Sequence, residues 1–394
     1  MRPGLFAAAV AAVCALCGFA AAPSTAADFP NPLPVETIPR VLGLPATYPK
    51  SWAFVNSVSS LELIDTAATA PDHVRGQIGV APFPNLIPST RRPEVYVAET
   101  FYSRGTRGTR TDVVTIYDTR TLAPTGEIVL TGPHRYLSGP QPNAFQLTGD
   151  EAFALVFAFT PAGSVKVLDL ANRKILSEVP IPGCALIYPT GEHGFSTLCG
   201  SGTMLTVQLD ATGKVTGQSE TATFNDLADD PLFSLPARIG GVSYFTSFKG
   251  GVQPIDLSGT APKLLPRWSL VTAEEAKANW RPSGWQQAAG GPDGRLYVIM
   301  QPGGHEGTHK DGGPEVWVFN PATHAKVATI KLKTQARSIA VADGAAPALL
   351  AAGAPADSPL DLRLDVYDPS TGALTNSTPL NGQGGAPILF PAGR

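Results

Sequence analysis

Residues His305, Glu306, Gly307, Thr308 and His309 match the spacing H-E-x-x-H. That spacing serves zinc proteases when one helix turns both imidazoles to the same face and leaves the glutamate between them as general base. Here the motif lies in QPGGHEGTHKDGGP, where five glycines and two prolines oppose a helix. No third ligand follows at a suitable spacing. The expectation is a solvent-facing loop without a metal. No G-x-S-x-G elbow is present, and the scattered glycines form neither a Walker loop nor a dinucleotide loop. The chain alone assembles no nucleophile, base and oxyanion set. Catalytic, cofactor-binding and metal-binding residues are therefore expected to be absent from it.

Three further groups could mediate recognition or stability. FYSRGTRGTRTD carries Tyr102, Arg104, Arg107 and Arg110 in an expected loop between strands. Such arginines form either a solvated face or a carboxylate-binding contact, since the guanidinium fork accepts bidentate partners. WRPSGWQQ places Trp280 and Trp285 around a Pro–Gly turn. They read either as packing between sheets or as an interface pair. Cys184 and Cys199 flank CALIYPTGEHGFSTLC, an apolar strand, a turn and a second apolar strand. Their place near the open end of that hairpin suits a disulfide, with two buried free thiols as the alternative.

These groups must be positioned by strands. The clearest unit runs from PEVYVAE into VVTIYDTRTLAPTGEIVL. It is an apolar strand, a gap, an alternating strand ending in Asp118, a polar turn and a last strand. The Asp-terminated strand recurs as LELID, VKVLD, LTVQLD, VQPID, VWVFN and LDVYD, ending at Asp65, Asp169, Asp210, Asp256, Asn320 and Asp368. A period of roughly 40–50 residues built from short strands is the mark of propeller blades. Each strand buries one face, each Asp can bond its own turn, and no small sheet covers both its faces alone. The fold expected is an all-β, seven-bladed β-propeller over residues 51–394. A pair of β-sandwiches is the alternative, for which seven similar units are too many. The terminal strand PILF, Pro387–Phe390, is expected to close the ring beside Trp52–Asn56.

Around this body the remaining segments are short. Met1–Ala27 reads as a secretory signal peptide, with Arg2 before an apolar run that holds Cys14 and Cys17 and is too short to span a membrane. Asp28–Lys50 is Pro-rich and reads as a surface arm. Leu270–Gln287 breaks the strand pattern. There the Thr272/Glu275 spacing predicts a capped short helix. Net charge is −3 with 15% charged residues. Neither nucleic acid nor an anionic membrane is an expected partner.

FYSRGTRGTRTDVVTIYDTRTL, GCALIYPTGEHGFSTLCGSG, DDPLFSLPA, WSLVTAEEAKANWRPSGWQQ and HEGTHKDGGPEVWVFNPATHAKVATI together resemble the heavy subunit of the quinoprotein amine dehydrogenases. The likeness runs from about Ser51 to the C-terminus. EGTHK and LTVQLDATGKVTGQS look closer to the aromatic amine branch than to the methylamine branch. The resemblance implies a periplasmic propeller in an α2β2 assembly with a cysteine-rich small subunit. That partner, not this chain, would carry tryptophan tryptophylquinone. A blue copper protein, of amicyanin or azurin type, would receive the electrons. Tyr102, Arg104, Arg107, Arg110, Trp280 and Trp285 are the residues expected at the partner or channel surface. One departure is visible: the family has a longer loop after the first strand, carrying an aromatic, where this chain has only Ser57, Val58, Ser59 and Ser60. A periplasmic propeller that binds a partner or ligand without redox chemistry is the second reading.

Overall fold

A computed structural model of the chain describes residues 43–56, 58–68, 72–139, 141–343, 347–380 and 387–393. The expected leader, most of the expected arm and Ser57 lie outside the described residues. Residues 43–50 pack onto the body. Leu44 N donates to Arg120 O at 2.8 Å, and the buried Tyr48 hydroxyl donates to Thr119 O at 2.8 Å.

The strands are antiparallel and form a β-propeller. Five sheets of four or five strands stand as separate blades, for example Asn85–Pro88, Glu94–Tyr102, Arg110–Asp118 and Pro124–Leu130 from the centre outward. The sixth sheet has eight strands. The expectation of seven separate blades is therefore corrected, and the cause lies in one strand. Ala325–Ala342 runs 18 residues without interruption. Its first part pairs with Gly313–Asn320 and its second with Ala348–Ala354. AKVATIKLKTQARSIAVA contains no Gly, Pro, Asn or Asp, so nothing there breaks the ladder where a turn would otherwise separate two sheets.

Inner strands of all six sheets face one central cavity of about 280 Å3, with Ile87, Gln146, Tyr188, Ala237, Ala289, Val341 and Leu389 among its lining. Apolar clusters fill the gaps between neighbouring sheets. Phe54 and Leu63 meet Val95 and Tyr117, Tyr96 and Val114 meet Phe145 and Val156, and Val165 meets Phe195 and Val207. The ring closes as expected. Ile388–Pro391 pairs with Trp52–Asn56, Phe390 opposite Phe54, and Leu389 joins Val55, Ile64 and Leu350 in one cluster.

The Asp-terminated strands are the third strands, and each ends in the same turn. The side-chain oxygens of Asp65, Asp118, Asp169, Asp210, Asp256, Asn320 and Asp368 each accept a hydrogen bond from a backbone N–H two or three residues on, at 2.8–3.1 Å. This is the local bond that makes Asp and Asn turn residues. It also favours the charged form. Asp210 and Asp368 are held below the usual carboxylate range, first by the hydroxyls of Thr212 and Ser370 respectively and then by backbone N–H groups.

Cys184 and Cys199 form a disulfide across directly paired positions of Cys184–Thr190 and Gly194–Cys199. The bridge closes a loop of 15 residues in sequence. The paired Cys184→Ser, Cys199→Ser variant is expected to lose about 3 kcal/mol of unfolding free energy. Urea denaturation followed by tryptophan fluorescence measures it. An unchanged midpoint would remove the bridge from the stability account.

Candidate functional site

Strand alternation sorts the loops onto two faces. The Asp turns, between third and fourth strands, lie on one. The loops between second and third strands, and those leading to the next inner strand, lie on the other. This second face holds 103–109, 131–139, 141–144, 221–236, 247–250, 270–287 and 302–312. It also holds the open end of the disulfide hairpin.

Glycine builds the arginine loop. Gly105 and Gly108 adopt φ of 73° and 103°, and a Cβ on Gly108 would come within 2.3 Å of Ser103 Oγ. Ser103 N bonds Thr109 O and Arg104 N bonds Arg107 O, each at 3.0 Å. Arg104 and Arg107 therefore project into solvent, while Tyr102, paired with Arg110 across the strands, is half-buried. Arg110 serves the interior. Its Nε donates to Asp112 Oδ1 at 2.9 Å and another guanidinium nitrogen donates to Arg135 O at 2.8 Å.

Beneath the loop lies a buried polar hub. Asp112 receives Thr100 Oγ1 at 2.7 Å and Arg135 N at 3.2 Å, and its Oδ2 lies 2.9 Å from His134 Nδ1. The Arg135 guanidinium, fully enclosed, donates to Thr100 Oγ1, Asn85 Oδ1, Tyr136 O and Phe83 O at 2.8–3.1 Å. Burial pushes the Arg135 pKa down to about 10, with the nearby Asp112 charge opposing that shift. Asp112 is itself desolvated, yet the bonds from Thr100, Arg110 and His134 hold its carboxyl below the usual range. The hub fixes three loops of the face together. Beside it, Val58 O and Ser59 O accept from Phe83 N at 2.9 Å and Val80 N at 3.2 Å, which ties down these two residues after the first strand.

The second half of the face contains a hollow of about 730 Å3 walled by Tyr136, Leu232, Phe233, Phe248, Trp285 and His309, with Asp229, Glu306 and Lys310 on its lining. The expected helix, Ala273–Lys277, precedes it with both bonds of the capping box present. Trp280 turns inward, its ring 4.9 Å from that of Trp317. Trp285 remains 40% exposed, and Lys310 Nζ stands 4.9 Å over its ring. The two tryptophans thus divide between packing and surface.

HEGTH forms the wall next to Trp285. Gly307 has φ of 94° and Thr308–Lys310 is a single 3-10 turn, so no α-helix carries the motif. His305 Nδ1 lies 3.1 Å from Gly303 O, while the His309 ring sits 6.5 Å from Phe233 and 6.4 Å from Phe248. Ser283 Oγ donates to Thr308 O at 3.1 Å and Gly284 N to His309 O at 2.9 Å, which locks the loop to the Trp285 segment. Among the described residues no cluster of three His, Cys, Asp or Glu is placed to hold a metal ion. No helix among them is long and apolar enough to cross a membrane.

Sequence reasoning named Trp285 but missed Phe233, Phe248 and Lys310. The signal of the two phenylalanines was present as apolar residues inside loops, in DDPLFSLPA and before the Lys249-Gly250-Gly251 turn.

Known proteins resemble both the fold and the sequence. The periplasmic gluconolactonase of Pseudomonas aeruginosa superposes with a TM-score of 0.56 at 16% identity, covering 86% of this chain and 98% of that one. A dihydro-heme d1 dehydrogenase gives 0.54 at 15% identity, covering 92% and 79%. At such identities these two speak to the fold alone. The methylamine dehydrogenase heavy chain of Methylorubrum extorquens is 30% identical over 289 residues, which is 73% of this chain and 69% of that protein. That of Paracoccus versutus is 30% identical over 290 residues, 73% and 66%. The model of the methylamine dehydrogenase heavy chain family matches residues 48–389, so the chain belongs to that family.

Proposed function

We propose that this chain is the scaffold subunit of a periplasmic amine dehydrogenase that oxidises primary amines to aldehyde and ammonia. Family membership brings a light-chain partner in general. The finer reading is an α2β2 assembly in which the small subunit carries tryptophan tryptophylquinone and passes electrons to a blue copper protein of amicyanin or azurin type. Residues 1–27 would export the chain. The eight-stranded sheet counts as two joined blades in this reading, which makes the ring seven-bladed. Its support is the cluster that packs Tyr297 and Val316 against Ile339 and Leu349.

The observation that carries the reading is where the family-like stretches fall. The arginine loop, the DDPLFSLPA loop, the Trp285 segment and the HEGTH loop all open on one face, and the last three line one aromatic hollow. Amine oxidation needs an electrophilic carbonyl and a base for the α-proton. A quinone on the small subunit would supply that carbonyl and serve as the two-electron acceptor. This chain's part is positional. The Asp112–Arg135 hub keeps the loops of the face in register, while Phe233, Phe248 and Trp285 offer apolar walls that exclude water.

Dye-linked oxidation of phenylethylamine and methylamine tests the proposal, with the isolated chain and with the complex coexpressed with maturation factors. Turnover and quinone absorbance are expected in the complex alone. An active isolated chain, or a matured complex inert to every primary amine, sinks the assignment.

A further inference from the structure

We propose that the central cavity, on the axis of the ring, is a binding site for a small uncharged hydroxyl compound, a phenol or a short alcohol. The proposal does not rest on the amine dehydrogenase reading. It follows from the size of the cavity and from which hydrogen-bonding atoms its walls leave open.

The cavity measures about 280 Å3, whereas roughly 150 Å3 of apolar space already admits one benzene ring. Ile87, Ala289, Val341 and Leu389 give it apolar walls. Three amides interrupt them, and each is oriented by its own bonds. The Gln286 amide is spent on Leu389, through both its nitrogen and its oxygen. Asn143 Nδ2 donates to Ile187 O and Gln146 Nε2 to Pro142 O, both at 2.9 Å. The two nitrogens are thereby used within the wall. The side-chain oxygens of Asn143 and Gln146 stay accessible and accept no bond among the described residues.

Donors are scarce on the same walls. Each of the six sheets ends in an inner strand, whose open edge turns to the axis. On that lining stand Pro88, Pro142, Pro189, Pro236 and Pro391, which carry no N–H. The cavity therefore favours a ligand that donates a hydrogen bond. Charge narrows the choice. No Asp, Glu, Lys or His is on the lining, and its one charged residue, Arg238, is exposed, with Nε 3.4 Å from Gly240 O. A cation would give up its hydration and find no counter-charge, at a large cost. A carboxylate would face the open oxygens of Asn143 and Gln146. A hydroxyl satisfies one of those oxygens, and an apolar body covers the aliphatic walls.

Titration of phenol into the full chain, followed by calorimetry, tests the site. Saturable binding with a Kd of about 1 mM is expected, ordinary for so small a ligand. Phenol should also raise the melting temperature, because the ligand binds only the closed ring. Toluene, which lacks the hydroxyl, should bind about fivefold more weakly. Benzoate and benzylammonium should not bind. Gln146→Met keeps the bulk of the side chain and removes its oxygen. It is expected to weaken phenol about fivefold and to leave toluene unchanged. A second measurement uses the parent protein, so it does not depend on how the variant folds. Crystals soaked in 4-bromophenol should show a bromine anomalous peak between Gln146 and Val341. Toluene that binds as tightly as phenol, a charged analogue that binds equally well, a Gln146→Met chain that binds phenol as the parent does, or a bromine peak off the axis would each overturn the site.

Discussion

Asp112→Ala is expected to cost about 3–5 kcal/mol of stability, the usual loss when one partner is taken from a buried ion pair. The carboxylate is 2% exposed and accepts from Thr100, Arg110 and Arg135 N, with His134 alongside. The enclosed Arg135 guanidinium, whose hydrogen-bond acceptors are all neutral, would lose the nearby negative charge that opposes its desolvation. Asp112→Asn keeps the shape and one acceptor and should lose less. The pH dependence has a definite sign. The folded carboxyl is held below its ordinary pKa, since the bonds from Thr100, Arg110 and His134 outweigh desolvation. Its contribution is therefore complete above the unfolded value of about 4 and is lost as pH falls through the lower folded value. Urea midpoints between pH 3 and 7 measure both effects. Asp112→Asn should flatten the acid limb of the wild-type curve. Two parallel curves would mean that another carboxylate governs that limb.

The repeat was legible because its cause is local. Period-two burial and an Asp that bonds its own turn need only a dozen residues, and all seven Asp or Asn ends carry that bond. The capping box at Thr272 and the cysteine hairpin were readable for the same reason. The joined sheet was not, because counting Asp ends cannot show that Ala325–Ala342 runs unbroken from one strand pairing into the next. The arginine loop shows the same limit. Arg104, Arg107 and Arg110 look alike in sequence, yet Arg110 turns inward because its loop meets residues 134 and 135 only in the fold. The hollow is less local still. Tyr136, Phe233, Phe248, Trp285 and His309 come from five loops, and no spacing connects them.

Truncation after Pro387 is expected to abolish cooperative folding. The missing strand, Ile388–Pro391, is the inner strand that closes the ring against Trp52–Asn56. Ile388 and Leu389 are 1% exposed, and each buried aliphatic side chain is worth about 1.5–3 kcal/mol. Gln286 adds a two-bond clasp, its Nε2 donating to Leu389 O and its Oε1 accepting from Leu389 N, both at 2.9 Å. The same residue bonds Arg337 O and Ile339 N, so it joins the closing strand to the eight-stranded sheet. Without the strand, the clasp amide and the wholly buried WAFVN edge face each other with unpaired polar groups, at about 1–3 kcal/mol for each buried group left unsatisfied. The total reaches roughly the 5–15 kcal/mol that stabilises an ordinary domain. The open apolar edge is also a template for pairing with a second chain. Size-exclusion chromatography should show the truncated chain as aggregate, with no sigmoidal urea transition in the remainder. Gln286→Met retains the strand and removes only the clasp, so it should stay folded and lose about 2 kcal/mol. A truncated chain that is monomeric and unfolds at the wild-type urea midpoint would show that the ring is held closed without its terminal strand.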